Sequence, residues 1–143
     1  MLVSEVIMPR MTELEASDLA ARAMDAALRK GLHIAVAVVY SARPLLVFRR
    51  DRDAFPASIE LAIAKARTAA TFRRDTKAMQ QSLEQGRLSY LALPGALPLA
   101  GGVPLMVRGV VIGALGISGA SSTEDAELVL AVAHEVGWAG DLA

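Results

Sequence analysis

Few residues of this chain have the chemistry for a reaction or for a tight polar grip, and those few are scattered. His33 and His134 are the only histidines, the side chains best suited to ligate a metal or to move a proton near neutral pH. His33 stands just after Gly31, where a histidine can equally serve to cap backbone, and His134 follows Leu130 at an interval that turns both inward on a helix. No HxH, HxxxH or HxxE spacing accompanies them, and adjacent His134 and Glu135 do not share a helix face. With no cysteine either, the spacing supports no built-in metal site. Lys65 lies in an Ala/Ile-rich stretch, where a lysine either snorkels to water or is aimed at a carboxylate. Arg49 and Asp51 complete a charged set with it, in which Asp51 either pairs for structure or leaves the cations to a ligand. Ser118 sits near Gly116 and Gly119 in the wrong frame for a G-x-S-x-G elbow. It does lie where a strand leaves for a helix N-terminus, whose free N–H groups attract anions. Satisfying turn backbone is its plainer use.

The elements that must position these residues follow from pattern. Gly101 to Asp125 combines a double-glycine turn, a β-branched run and a helix start. Val103–Arg108 and Val110–Ser118 read as strands meeting at Arg108-Gly109, a hairpin turn that demands positive φ. Gly113, Gly116 and Gly119 leave room either for helix-on-sheet packing or for a bound molecule. Upstream, Thr12 and Glu15 form a capping box that opens a helix running to Gly31. His33–Tyr40 and Leu45–Arg49 make a second hairpin, turning at Ser41–Pro44. Ser58–Phe72 is an alanine-rich helix, and Lys77–Gln85 a shorter one capped by Asp75 or Thr76 and ended by Gly86. Arg87–Leu99, broken by Pro94, Gly95 and Pro98, reads as a loop with one short strand. Ser121, Ser122 or Thr123 caps a last helix through Val136, with Glu124, Asp125 and Glu127 complementing its dipole. The order α-β-β-α-α-β-β-β-α predicts an α+β fold with an antiparallel five-stranded sheet and helices on its faces. Residues 1–11 form an extended arm suited to docking on a neighbouring subunit, and 12–143 form a single domain.

Composition sets the outer bounds. The chain has 143 residues, 54% of them hydrophobic and only 4% aromatic, so the core is built from Ala, Val, Leu and Ile. Fifteen basic residues balance fifteen acidic ones, leaving no electrostatic footprint for nucleic acid or for an anionic membrane. No apolar run is long enough to span a bilayer, nothing resembles a signal peptide, and a cytoplasmic location is expected. A mean hydropathy of +0.41 points to apolar surface covered by a second copy, hence a homo-oligomer.

Several separated blocks carry a resemblance. Gly101-Gly102-Val103-Pro104-Leu105, the run Ile112–Ser121 (IGALGISGAS), and the acidic helix start after it resemble the signature of the GlcG/HbpS-like haem-degrading family, which includes the C-terminal domain of PduO-type proteins. Ser58–Ala69 resembles that family's S-I-x-x-A-x-x-K-A-x-T-A helix, Thr76 the threonine after it, and Arg49-Arg50-Asp51 its R-M-D block. The chain departs from the pattern at Tyr40, where an Asp is expected, at Ser41–Arg43, where a glycine is expected, and in the loop Asp53–Pro56. The likeness spans residues 12–136. It implies a profilin-like three-layer α-β-α sandwich and a homo-oligomer that holds haem or another carboxylated ligand at a subunit interface. On this resemblance Arg49 and Lys65 would hold a ligand carboxylate, and Gly101, Gly102, Ser118 and Gly119 would supply backbone donors. Asp51, Thr76 and Pro104 would belong to the same site, with His33 or His134 as a haem ligand. Two alternatives stay open: an enzyme acting on a small organic acid, with Lys65 or Ser118 polarising it and a histidine moving a proton, and a structural or regulatory subunit.

Overall fold

Helix α1 (Glu13–Arg29) starts where local chemistry dictates. Thr12 accepts the Glu15 N–H at 3.1 Å, and the Glu15 carboxylate accepts the Thr12 N–H at 2.9 Å, the reciprocal box read from the sequence. The helix stops at Gly31, whose positive φ of 69° lets Leu32 N–H turn back onto Ala27 O. Its inner stripe is Ala16, Leu19, Ala20, Ala23 and Ala27, while Leu14 and Leu28 face outward.

The computed structural model describes residues 8–142, and residues 1–7 of the predicted arm lie outside them. Met8–Arg10 have no regular structure, whereas Met11 is buried with its methyl against Gly113. Strands β1 (Ala35–Tyr40) and β2 (Leu45–Arg50) form the first hairpin, and β3 (Gly102–Val107) and β4 (Val110–Ser118) the second. Every pairing is antiparallel, in the order β2-β1-β4-β3.

Among the described residues the sheet therefore has four strands, and the expected fifth is corrected. The stretch before β3 instead holds a short 3-10 turn at Leu88–Ala92, with no buried residue. Pro94 and Pro98 have no N–H to give a ladder, and Leu88 and Leu91 face water, so nothing holds this segment in a sheet.

The sheet's two faces take different partners because strand side chains alternate. Val36, Val38, Val103, Leu115 and Ile117 meet α1 and α4 (Ser122–Glu135). Ala35, Ala37, Val39 and Ala114 meet α2 (Ser58–Phe72) through Ala62, Ala66, Ala69 and Ala70. The buried apolar residues of that second interface are alanines and Val39, with Phe48 and Ile63 at its margin, so helix and sheet backbones come close. A Cβ on Gly116 would stand 2.2 Å from Ala62 O and 2.6 Å from Ala66 N, so this position admits only glycine without movement. Helix α3 (Thr76–Glu84), capped by Asp75, follows α2.

Strand β3 forms one edge of the sheet, and its outward donors are accounted for. Gly102 N–H goes to Thr76 Oγ1 at 2.8 Å, Pro104 has none, and Met106 N–H goes to Trp138 O at 2.8 Å. Pro104 is thus a buried edge-strand residue, a place where proline is tolerated.

Candidate functional site

The end of the sheet where β1 begins and β4 ends collects most of the residues singled out above. Lys65 projects from α2 toward this end and is 4% exposed. Its Nζ donates to Ile117 O and to Asp125 Oδ2, each at 3.1 Å. The second carboxylate oxygen of Asp125 accepts Ala120 N–H at 3.1 Å. Burial pushes the Asp125 carboxyl above the usual carboxylate range, and Lys65 pulls it back. The cation that sequence offered to a ligand is therefore held by a protein carboxylate. Asp125, one of three acids suited to the α4 dipole, instead turns inward as the partner of Lys65.

The glycines at this end are filled by neighbours. A Cβ on Gly101 would meet Ile117 O at 2.5 Å and Lys65 Nζ at 3.0 Å; one on Gly102 would meet Lys65 O at 2.4 Å. A Cβ on Gly119 would stand 2.4 Å from His33 O. Thr76 both accepts from Gly102 N and donates to Gly102 O, and Thr68 holds Leu97 N–H at 2.9 Å, so two threonines pin the loop that enters β3. Ser118 is 2% exposed on the face that α2 covers. Lys65, Thr76, Gly101, Gly102 and Ser118 are thus brought together, in a packed junction.

Arg49 and Asp51 lie apart from that junction. Asp51 follows β2, ties Ile34 O with its N–H at 2.9 Å, and accepts Asp53 N–H on Oδ1 at 2.9 Å. Its Oδ2 lies 2.8 Å from His33 Nδ1. The His33 ring is 48% exposed, and the Asp51 carboxylate 12%. The hydrogen bond and charge of Asp51 raise the His33 pKa above the ordinary histidine value. The Asp53 N–H and then His33 hold the Asp51 carboxyl below the usual range. One ligand atom each of His33, Asp51 and Asp53 falls within 4.8 Å of the others. Spacing could not show this grouping, since 18 residues separate His33 from Asp51. A carboxylate on Nδ1 fixes the imidazole and leaves the other nitrogen of a half-exposed ring for a ligand, the arrangement that prepares a histidine to ligate metal or to accept a proton. Arg49 and Arg50 pair with Val36 and Ala35 at the same end and are exposed. His134 does not join them: it is exposed on α4, correcting the inward orientation expected from Leu130.

Fold and site define a small α+β protein on one antiparallel sheet, with an oriented histidine at the sheet's end and a buried lysine–aspartate pair beneath α2. Residues 11–134 match the family described as haem degrading protein HbpS-like, and the chain belongs to that family. Protein GlcG of Escherichia coli strain K12 is 33% identical over 108 residues, 76% of this chain and 81% of the relative. The crystal structure of a double mutant of HbpS from Streptomyces reticuli matches with a TM-score of 0.84 at 32% identity, over 93% of this chain and 91% of that one. The crystal structure of a PduOC:heme complex matches with a TM-score of 0.82 at 25% identity, over 91% of this chain and 97% of that one.

Proposed function

We propose that this protein binds haem, or a closely related planar carboxylated ligand, on His33, with the ligand enclosed between copies of the chain. The observation that carries the reading is the 2.8 Å contact between His33 Nδ1 and Asp51 Oδ2 on a half-exposed ring. A carboxylate hydrogen-bonded to one ring nitrogen in this way fixes the tautomer and makes the other nitrogen a better ligand. The similarity to PduOC in its complex with haem, together with family membership, supports haem as the group. Its residues fit: His33 would hold the iron, and exposed Arg49 at the same end would take a propionate. Bound haem supplies iron-centred redox chemistry; the chain supplies an oriented ligand and a carboxylate-binding cation.

Self-association belongs to the same reading. A ring 48% exposed covers only one side of a flat ligand, and Phe55, in the loop after Asp51, is 46% exposed and offers apolar surface to a second copy. In this reading Lys65, Thr76, Gly101, Gly102, Ser118 and Gly119 shape the junction behind His33.

Haemin titration followed in the Soret region tests the proposal. A saturable band is expected that is lost in His33→Ala, weakened in Asp51→Asn and retained in His134→Ala. A band indifferent to His33→Ala, or no saturable band at all, overturns it. Turnover of a small organic acid that depended on His33 in the absence of haemin would favour the enzyme alternative, because the same dyad serves as a base.

A further inference from the structure

The opposite end of the sheet has a different character. Among the described residues, the non-glycine positions with positive φ are Arg43 (82°), Arg73 (54°) and Arg108 (49°), and every one is an arginine. This region of backbone favours glycine, with asparagine and aspartate next, and it strains a long side chain. Arg43 lies in the β1–β2 turn, Arg108 in the β3–β4 turn, and Arg73 caps the C-terminus of α2. The pairings Tyr40↔Gly113 and Val107↔Val110 set both turns at one end of the sheet. Arg73 joins them there, because it lines a groove together with Tyr40 and Val110.

Arg43 has a structural use that offsets its strain: its guanidinium donates to Thr71 Oγ1 at 2.8 Å. Arg73 has no such use. Among the described residues no carboxylate lies within 4 Å of its guanidinium or of that of Arg10, which lines the same groove. The groove encloses about 570 Å³, in the range of small-molecule sites. Met8, Pro9, Met11, Pro44 and Ile112 give it apolar walls, and Tyr40 adds an aromatic ring. Methionines line such sites well because they adapt to the shape of what they touch.

We propose that this groove binds an apolar carboxylic acid, with Arg10 and Arg73 gripping the carboxylate and the methionine–proline wall covering an alkyl or aryl body. Two guanidiniums beside an apolar trough match that amphipathic shape, since each presents paired N–H donors to a carboxylate. The left-handed backbone at Arg73 is the structural expense of placing a cation where glycine would be easier. The site is separate from His33: the length of β1, roughly 17–20 Å at 3.3 Å per residue, lies between them. It does not depend on haem binding.

Calorimetric titration with decanoate, with decanol as the uncharged control, tests the assignment. Saturable binding of decanoate is expected, with none of decanol. Arg10→Ala and Arg73→Gly should each weaken it about tenfold or more, consistent with loss of a charge-assisted contact. Arg73→Gly should at the same time raise the urea midpoint, because glycine relieves the backbone. That combination separates loss of a ligand contact from loss of fold. Equal binding by decanol, or decanoate affinity unchanged in both variants, overturns the proposal. Binding that appears only after deletion of residues 1–7 also overturns it, because the groove then belongs to that segment.

Discussion

The two ends of this sheet handle positive charge in opposite ways. Where β4 leaves for α4, Lys65 is buried, and its ammonium is matched by Asp125 and by a backbone carbonyl. Where the hairpins turn, Arg10 and Arg73 are exposed beside an apolar groove, with no carboxylate partner among the described residues. The difference follows from solvation. A charge taken out of water must be paired within the fold, so Lys65 serves architecture. A charge left at the rim of an apolar trough keeps its hydration until an anion arrives, so it remains available for recognition.

The contrast is broken most severely at the buried pair. Lys65→Ala or Asp125→Ala strands the remaining charge in the interior and should destabilise the protein by about 3–5 kcal/mol. Replacing both together, Lys65→Met with Asp125→Leu, should recover most of that loss. Urea unfolding of the three variants decides the point, and a double variant no better than the singles would show that the pair does more than neutralise itself. Gly116→Ala comes next. The added methyl would press on Ala62 O and Ala66 N, so an overpacking loss of about 1–3 kcal/mol is expected in the same assay.

At the turn end the sign reverses. Arg108→Asn keeps a turn residue that tolerates left-handed backbone and should stabilise the fold by about 0.5–1 kcal/mol. A lowered thermal midpoint would show that the arginine repays its strain within the fold.

The smallest effect concerns His33 and Asp51, and it is better read by titration than by stability. The His33 pKa is raised on folding, so its stabilising share is complete below the unfolded histidine value and disappears as pH rises through the folded one. The Asp51 pKa is lowered, so its share is complete above the unfolded carboxyl value and is lost as pH falls through the folded one. The pair is therefore strongest in the mildly acid window between them. Asp51→Asn should move the NMR titration midpoint of His33 downward, and an unmoved midpoint would contradict the orientation assigned to Asp51.

Much of the fold was legible because its signals are local. The capping box of Thr12 with Glu15 lies within one turn and forms as read, and of the three caps open for the last helix Ser121 takes the role, with Glu124 closing a second box. The Arg108-Gly109 turn was legible for the same reason: a tight hairpin needs positive φ, and both residues have it. The segment before β3 was not, since its leucines suggest a strand while its prolines remove the donors a strand needs. The Lys65–Asp125 pair was hidden by 60 residues of separation, and by the fact that an acid in a first helical turn already has a sufficient explanation in the dipole. His33 was visible as a histidine but not as an oriented one. Only the path of β2 beside β1 brings Asp51 to it.

The accounting of donors along β3 bears on how copies of this protein can meet. A sheet edge recruits strands from other molecules through unclaimed N–H groups. Here Thr76 takes one, proline removes another, and the carbonyl of Trp138 takes a third. The N–H groups of that flank are closed to runaway sheet extension, which leaves helices, loops and the β2 flank as the remaining surfaces for a second copy. Trimming the chain before Trp138 would leave the Met106 N–H without its acceptor and give the flank one free donor.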